Sequence, residues 1–323
     1  MNRSIFIGSG KYLPTKIITN KEISKIIDTS HQWILSRTGI TSRHIADEGE
    51  LTSDLGAKAA KKALKNANIS SRKIDLIILA TATPDDTFPS TATSIQRKIN
   101  ATNALAFDVS AVCSGYLLAL FIADNAIKIG AANIALVIGA ETFSRILDMQ
   151  DRKTCVLFGD GAGAVILRKE KGYPEIKKRG IIFIKLYSDG RYRNILYAAG
   201  GASCSKTTKY IRMKGNDVFR HAVEKMTLSA QNTLKKYRLT SRNINWIIPH
   251  QANIRIIKSV AKKLMIPNNK IISTIKHHAN TSAASIPLAV NEAIEQGKLK
   301  SKDLILHEAI GSGLVWGSAL IRW

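Results

Sequence analysis

The chain has 323 residues, of which 45% are hydrophobic and 22% charged. This balance excludes an intrinsically disordered protein and allows about two domains with a large buried core. The 48 Lys and Arg residues outnumber the 24 Asp and Glu residues, giving a formal net charge of +24, but they are spread along the whole sequence. Because they form neither a basic tail nor a patch interleaved with aromatic residues, we expect no nucleic-acid partner.

The start of the chain and its cysteines suggest the compartment. No apolar run is long enough to span a bilayer, and the first residues enter a strand-like run without the apolar stretch of a signal peptide. Three cysteines, Cys113, Cys155 and Cys204, are too few and too scattered for a disulfide framework or a CxxC zinc site. We therefore expect a cytoplasmic protein with reduced thiols, no bound metal and no membrane partner.

Predicted strands and helices alternate in the first third of the chain. Apolar patterning predicts a strand over 5–10, a short helix over 20–27, an amphipathic helix over 53–67 and a strand buried on both faces over 74–80. Thr29 and Gln32 form a capping-box pattern that opens a further helix. On this helix Trp33 and Arg37 are four residues apart and share one face. Taken alone, the pair indicates a packed Trp covered by an Arg.

Cys113 lies between a predicted strand over 104–109 and a predicted helix over 113–129. Apolar residues cover every face of this helix, which predicts that it is buried. Unpaired backbone N–H groups and the positive end of the helix dipole meet at its first turn and favour a thiolate, so we expect a lowered pKa for Cys113. The alternative is that Cys113 is a small buried apolar residue, as free cysteines often are.

Two further strands are predicted over 133–139 and 164–167, with a glycine cluster between them. No Gly-Lys-Ser/Thr sequence follows these glycines, which favours a tight turn over a phosphate-binding loop. Residues 169–210 are polar and rich in turn formers, and we expect a linker and surface excursion there.

The two halves of the chain share a pattern. Ser-Arg-x-Ile-x-x-Ile-Ile at 71–78 recurs 170 residues later at 241–248, and each half contains a buried strand followed by a glycine-rich turn and another strand. We therefore expect a duplicated α/β unit with layered sheets, divided into halves at 1–170 and 171–323.

Polar residues follow two predicted strands of the second half. His250 follows a strand over 246–248, and Asn280 lies in a run of small polar residues after a predicted strand over 271–275. Because α/β sheets place their sites at strand ends, Cys113, His250 and Asn280 together favour thiol-based acyl chemistry. His277 and His278 are adjacent on the predicted strand and would point to opposite faces, which argues against a shared metal.

The motifs of the chain resemble those of the β-ketoacyl-acyl carrier protein synthase III family, thiolase-like condensing enzymes that initiate bacterial fatty-acid synthesis. The matching segments are Trp33 with RTGI at 37–40, the turn at Cys113, FGDGAGA at 158–164, PHQAN at 249–253, HANTSAAS at 278–285 and GSGLVWGSAL at 311–320. The resemblance runs from residue 5 to residue 323 and implies a thiolase-like α/β fold, with duplicated halves in α-β-α-β-α layers. Ala279 and Ser312 replace glycines of the usual family pattern.

The resemblance also implies a mechanism. Cys113 would take an acetyl group from acetyl-coenzyme A, and malonyl-acyl carrier protein would then lose CO2 and attack that acetyl group. His250 and Asn280 would stabilise the developing negative charge. The backbone N–H groups of Cys113 and Ser312 would bind the oxygen of the acyl-enzyme. No cofactor is implied, because acetyl-coenzyme A is a substrate.

The family's binding residues can be carried over to matching positions. Those implied for coenzyme A are Thr29, Trp33, Arg37, Arg152, Gly215, Phe219, Ala252 and Asn253. Those implied for the acidic acyl carrier protein are Gln251, Ala252, Asn253, Ile254 and Arg255. Phe88 would reach the acyl pocket of the partner across a homodimer interface. The pattern after 253 also predicts a helix with Ile254, Ile257, Ala261 and Leu264 inward and Arg255, Lys258 and Lys262 outward.

Two alternatives stay open on the sequence alone. A related condensing enzyme would use another acyl-coenzyme A starter, and the region around Phe88 would decide between the starters. A non-catalytic basic binding protein could keep the same fold, although it would not need Cys113, His250 and Asn280 together. The outward basic residues of the helix after 253 steer an acidic partner in the first interpretation and form a solvated face in the second.

Overall fold

Two mixed sheets form the framework of the protein, whose computed structural model describes residues 2–204 and 210–323. The strand order is β1-β7-β6-β4-β5 in the first sheet and β11-β12-β13-β8 in the second, and β2-β3 and β10-β9 form small two-stranded sheets. The strands are β1 Asn2–Tyr12, β2 Lys16–Thr19, β3 Ser42–Ile45, β4 Leu76–Ala80, β5 Leu105–Val109, β6 Ile134–Glu141, β7 Gly161–Lys171, β8 Gly180–Ser188, β9 Leu196–Ala198, β10 Ile211–Met213, β11 Trp246–Pro249, β12 Leu304–Gly311 and β13 Val315–Arg322.

The helices of the described residues lie on both faces of each large sheet. They are α1 Asn20–Ile23, α2 His31–Thr38, α3 Thr52–Ala67, α4 Thr91–Ile99, α5 Gly115–Lys128, α6 Gly215–Lys236, α7 Ile254–Lys263, α8 Ile275–His278 and α9 Ser285–Glu295. Within these residues, no helix combines the length and the apolar character needed to cross a membrane.

Strand β6 shows how the layers arise. Its successive side chains alternate between two faces, so Leu136 and Ile138 pack with α3 and α4, whereas Ala135 and Val137 pack with α5 and α9. The second sheet covers the other side of α5 and α9, and its far face packs against α6 and α7. The result is the α-β-α-β-α order of the thiolase-like fold. The prediction of fold class is confirmed.

The expectation of a linker and surface excursion over 169–210 is wrong in part. Strand β8 lies in this segment and pairs antiparallel with β13. Ile182 of β8 packs toward α6, whereas Ile181 and Ile184 pack into the central layer. Polar residues at both ends of the segment made it resemble a loop. The strand between them is apolar at its start, where both of its faces are covered.

Two other local predictions are also corrected. Residues 271–275 do not form a strand: Ile271 makes a single bridge to Ile247, and α8 follows at once. His277 and His278 are therefore neighbours on a helical turn, His278 buried and His277 exposed. Helix α5 is not buried on every face, since Phe121 is 41% exposed.

The predicted division at 170/171 falls next to the last residue of β7. The strands of the first sheet precede this point, apart from the last residue of β7, and all strands of the second sheet follow it. The independence of the two halves as domains stays a prediction.

Candidate active site

Cys113 lies in a tight turn between β5 and α5. The turn Val112–Ser114 is a single 3-10 turn, and α5 begins at Gly115. Val112 has a φ of 46°, a left-handed conformation that is rare for a β-branched residue and costs free energy. Gly311 packs against this turn so closely that a Cβ atom there would lie 2.4 Å from the Ala111 carbonyl oxygen. Only glycine fits at this point, and the contact fixes β12 beside Cys113.

The Cys113 thiol is protonated in the resting site. The residue is 5% exposed, and burial raises the pKa of its thiol to about 12, although the Ser282 hydroxyl opposes this shift. The expected lowered pKa is therefore wrong, because removal from water outweighs the stabilisation of a thiolate at the start of the helix.

His250 follows β11 and is held by its neighbours in one orientation. Its backbone N–H donates to the Glu308 carbonyl oxygen at 2.7 Å, and its Nδ1 lies 2.7 Å from the Ser285 hydroxyl. Ser285 Oγ accepts the Gln251 backbone N–H at 3.3 Å, so its own proton is available to Nδ1. This arrangement favours the tautomer with the proton on Nε2. Burial lowers the pKa of His250 to about 3, and the ring is neutral.

Asn280 is anchored so that its amide can donate. Its backbone N–H donates to the Leu157 carbonyl at 2.9 Å, and its side-chain Oδ1 accepts the Ser282 backbone N–H at 2.9 Å. The Nδ2 group is therefore the free end of the amide. Ala279 before it has φ 58° and ψ −161°, a region that suits glycine. Ala279, which replaces the usual glycine of the family pattern, therefore has a strained backbone beside the site.

Cys113, His250 and Asn280 line one cavity of about 390 Å³, which opens at the surface beside Trp33. At the opening the guanidinium groups of Arg37 and Arg152 lie over the Trp33 ring, 5.3 and 4.9 Å from its centroid. The cavity wall also contains Gly215, Phe219, Ala252, Asn253 and Arg255. A ligand at the opening therefore meets an aromatic ring and cations, and a ligand at the closed end meets a thiol with two hydrogen-bond donors.

Comparisons with known proteins agree with this arrangement. Residues 107–190 match the family model described as 3-oxoacyl-[acyl-carrier-protein] synthase III, and residues 234–323 match the model of its C-terminal part. A β-ketoacyl-[acyl-carrier-protein] synthase III from Rhodospirillum centenum is 53% identical over 321 residues, with 99% of both chains covered. One from Wolbachia pipientis wMel is 54% identical over 324 residues and covers 100% of both chains.

The chain belongs to the β-ketoacyl-acyl carrier protein synthase III family. The crystal structure of 3-oxoacyl-[acyl-carrier-protein] synthase III from Aquifex aeolicus VF5 has a TM-score of 0.93 and 46% identity, covering 99% of this chain and 100% of that one. The protein is thus an acyltransferase of the condensing type, and the predicted family, activity and fold are confirmed.

Several residues carried over from the family motifs do not reach the cavity. Thr29 is outside its lining, and the helix cap is Ser30, whose hydroxyl accepts the Trp33 backbone N–H at 3.1 Å. The Ser312 hydroxyl donates to the Leu196 carbonyl oxygen, so only the backbone of Ser312 is free for the predicted role. Ile254, predicted to contact the carrier protein, is half-buried and lies against Gly39 outside the cavity lining, and its contact with the carrier protein stays a prediction.

Gln251 was predicted to contact the acyl carrier protein, but its position in the structure does not allow this contact. Its side chain is fully buried and holds the loops around it, donating to the Pro249 carbonyl oxygen at 2.6 Å and accepting from the Ser273 hydroxyl at 2.9 Å. A buried amide with these bonds cannot contact a carrier protein. Phe88, in contrast, is 84% exposed and lies outside the cavity lining, at the surface.

The sequence patterns did not single out three residues next to the reacting groups. Ser285 contacts His250, and Ser282 and Glu141 both influence the pKa of the Cys113 thiol. Ser282 and Ser285 were inside the run of small polar residues after Asn280, but no spacing distinguishes them from the other hydroxyls. Glu141 falls two residues beyond the predicted strand over 133–139. A carboxyl at the end of a buried strand was the available signal.

Proposed function

We propose that this condensing enzyme acetylates Cys113 from acetyl-coenzyme A and then condenses the acetyl group with malonyl-acyl carrier protein. The products are acetoacetyl-acyl carrier protein, CO2 and coenzyme A, the first condensation of type II fatty-acid biosynthesis. The observation that carries the proposal is the single cavity that leads from Trp33 at the surface to Cys113, His250 and Asn280. Both half-reactions use this end of the cavity, one after the other.

The donors at the closed end suit the decarboxylation. Loss of CO2 places negative charge on the thioester oxygen of the malonyl group, and a neutral His250 with its proton on Nε2 can donate to that oxygen. The free Nδ2 of Asn280 is the second donor. Each such bond to a developing oxyanion in a buried site is worth about 3–4 kcal/mol. The resulting carbanion then attacks the acetyl carbonyl, and the sulfur of Cys113 leaves.

The opening suits coenzyme A. Arg37, Arg152 and Lys153 place positive charge where the phosphates of the coenzyme would lie. Arg152 lies over Trp33, so an adenine ring that stacks on Trp33 must separate these two side chains.

The acyl carrier protein is proposed to bind beside this opening. Arg255 lies on the rim, with its guanidinium 5.5 Å from the Phe219 ring centroid, and Lys258 and Lys262 on the same helix are exposed. An acidic partner would be attracted by this face of α7. We propose no cofactor, because every step is acyl transfer or decarboxylation. We also propose a cytoplasmic location, where the thiol stays reduced.

A homodimer is proposed through β5. This strand is at the edge of the first sheet, and an edge strand exposes unpaired backbone groups. Leu105 on β5 is 65% exposed and Phe121 on the neighbouring α5 is 41% exposed. A second copy placed by a twofold axis would cover this apolar face. Phe88 would then be available to the partner's cavity.

Intact-mass spectrometry after incubation with a mixture of acyl-coenzyme A thioesters tests the proposal. We expect one acyl adduct, mapped by peptide analysis to Cys113 and absent in Cys113→Ala. Asn280→Ala should still be acylated but should condense about 10²–10³-fold more slowly, because one donor to the oxyanion is lost.

The outcomes separate the alternatives. An acetyl adduct supports the proposed starter, and a longer chain on Cys113 indicates a condensing enzyme with another starter. Wild-type protein that carries no adduct on Cys113, yet retains nucleic acid with a steep salt dependence, would revive the basic binding protein. Condensation at the normal rate by Asn280→Ala would remove Asn280 from the mechanism.

A further inference from the structure

Glu141 is a buried carboxyl group to which the condensation chemistry gives no role. It ends β6, is fully buried, and one of its two oxygens is held by three donors. Oε2 accepts from the Thr83 hydroxyl at 2.7 Å, the Ala82 backbone N–H at 3.0 Å and the Thr81 hydroxyl at 3.2 Å. Oε1 receives a long contact of 3.5 Å from the Ala283 backbone N–H. The less occupied oxygen therefore faces the turn Ser282–Ala284.

Ser282 belongs to the turn that neighbours both Glu141 and Cys113. Its turn packs against both the Cys113 turn and β6. Its hydroxyl is buried and has no hydrogen bond to any described residue, so it is free to turn toward either ionisable group. Burial raises the pKa of the Cys113 thiol and of the Glu141 carboxyl, and the Ser282 hydroxyl opposes the shift in each. A buried hydroxyl in this position can receive a proton from one side and release its own to the other.

We propose that Ser282 transfers the proton of the Cys113 thiol to Glu141 when Cys113 attacks the acyl thioester, an inference that rests on the proposed function. The S–H bond of Cys113 breaks and the proton passes to Ser282 Oγ, while the Ser282 proton passes to Glu141 Oε1. The sulfur forms a bond to the acyl carbon, and the bond from that carbon to the coenzyme sulfur breaks. The same path returns the proton to the leaving thiolate, so no other reactant is needed.

Charge favours this path over simple ionisation of the thiol. A thiolate beside an ionised Glu141 would place two negative charges in a buried site, and Glu141 itself contributes to the raised pKa of Cys113. Transfer through Ser282 keeps one negative charge there throughout. Burial raises the pKa of Glu141 to about 7 and lowers that of His250 to about 3. Glu141 is therefore the better proton acceptor of the two.

The ionisation of Glu141 depends on the groups that surround its carboxyl. They are Thr81 and Thr83 after β4, Ser282 before α9, and Cys113 before α5. Asp160, which precedes β7, is occupied by the Ala46 backbone N–H at 2.8 Å and by the Ser144 backbone N–H. Cys113 is thus the titratable partner of Glu141 in this group.

The proposal is tested by measuring the single-turnover rate of Cys113 acetylation in the full-length enzyme. Intact-mass spectrometry monitors the reaction at each pH from 6 to 9. Wild-type acetylation should rise with pH and level off above about pH 8, as Glu141 ionises. Glu141→Gln and Ser282→Ala should each slow acetylation about 10²–10⁴-fold at pH 7. Their rates should keep rising tenfold per pH unit, because only the thiolate fraction then reacts. Glu141→Asp should recover part of the rate, and decarboxylation of malonyl-acyl carrier protein should be unchanged.

Each outcome decides a different point. Acetylation of Glu141→Gln or Ser282→Ala at the wild-type rate and with the wild-type pH profile overturns the transfer through Ser282. Equal losses of acetylation and decarboxylation show a merely structural role and also overturn it. Should Glu141→Gln fail to fold, the pH profile of Ser282→Ala decides alone. Wild-type enzyme that never acetylates Cys113 would instead contradict the proposed function.

Discussion

Burial drives several ionisable residues around the second sheet toward their neutral forms. It lowers the pKa of His307 to about 4 and raises the pKa of Glu308 well above its usual value. Both carboxyl oxygens of Glu308 are buried without a hydrogen-bond partner among the described residues. An ionised carboxylate there has neither water nor a donor, so the folded state holds Glu308 protonated.

Removal of the Glu308 carboxyl should stabilise the folded protein, and more so at high pH than at low pH. A raised pKa in the folded state means that its stabilising contribution is present below the unfolded pKa of about 4.3 and is lost as pH rises above it. Glu308→Gln should therefore increase the urea midpoint at pH 8 and have a smaller effect at pH 5. Glu224→Gln, an exposed residue on α6, is the matched control and should change neither midpoint. A shift of equal size at both pH values would contradict the interpretation.

At the same scale, the sequence identified the chemistry-bearing residues but not their ionisation. Cys113, His250 and Asn280 were recognisable because each follows a strand and each has a side chain suited to acyl chemistry. The pKa of Cys113 was predicted in the wrong direction, since a local pattern contains the start of a helix but not the depth at which it is buried. The contact of Gln251 with the carrier protein was also predicted without knowledge of its burial.

Helix α7 shows at the scale of an element what apolar spacing can predict. Ile257, Ala261 and Leu264 are buried and Lys258 and Lys262 exposed, as the pattern indicated. Arg255 lies in the first turn, where the positive end of the helix dipole disfavours a cation. Its position at the cavity rim therefore has no rationale in the stability of the helix.

Reversal of this charge predicts a selective defect. Arg255→Glu should raise the apparent KM for malonyl-acyl carrier protein about five- to tenfold, because a rim cation becomes an anion facing an acidic partner. The KM for acetyl-coenzyme A should change little. Lys263→Glu makes the same change of charge at the other end of α7 and serves as the control. If both variants have the wild-type KM, the carrier protein binds elsewhere.

The elements that were mispredicted share a cause. Residues 271–275 have the apolar composition of a strand, but one bridge to Ile247 is all the pairing that the neighbouring β11 provides before α8 begins. Strand β8 was missed because polar residues and turn formers surround nine residues whose pairing partner, β13, is distant in the sequence. Pairing between distant strands overrides local composition in both cases.

At the scale of the whole molecule, the exposed apolar edge predicts the assembly. Leu105→Lys places a charge on the β5 edge, where a second copy would bury it, and should halve the mass measured by light scattering. Leu228→Lys is the control, because Leu228 is 53% exposed on α6 in the outer layer of the second sheet. A wild-type chain that is monomeric at micromolar concentration would contradict the proposed interface.

The overall architecture was predictable because two kinds of signal agreed. The recurrence at 71–78 and 241–248 indicated duplication, and these segments lead into β4 and β11, one in each sheet. The family motifs then gave the order of the layers. The exposed residues of α5 and its C-terminal end could not be predicted, since Phe121 on the helix and Ile129 just after it are as apolar as the buried residues of the helix. Only the three-dimensional arrangement distinguishes them.

The two guanidinium groups over Trp33 have an optical consequence. All four tryptophans are described, and Trp33 is the one of them that lines this cavity, with two guanidinium groups over its ring. If a planar base stacks on Trp33 as proposed, it would replace a charged neighbour by an aromatic one and should change the indole emission. The enzyme thus contains an intrinsic fluorophore at the mouth of its cavity, and a change in emission that is lost in Trp33→Phe would report occupancy in unlabelled protein on a stopped-flow timescale.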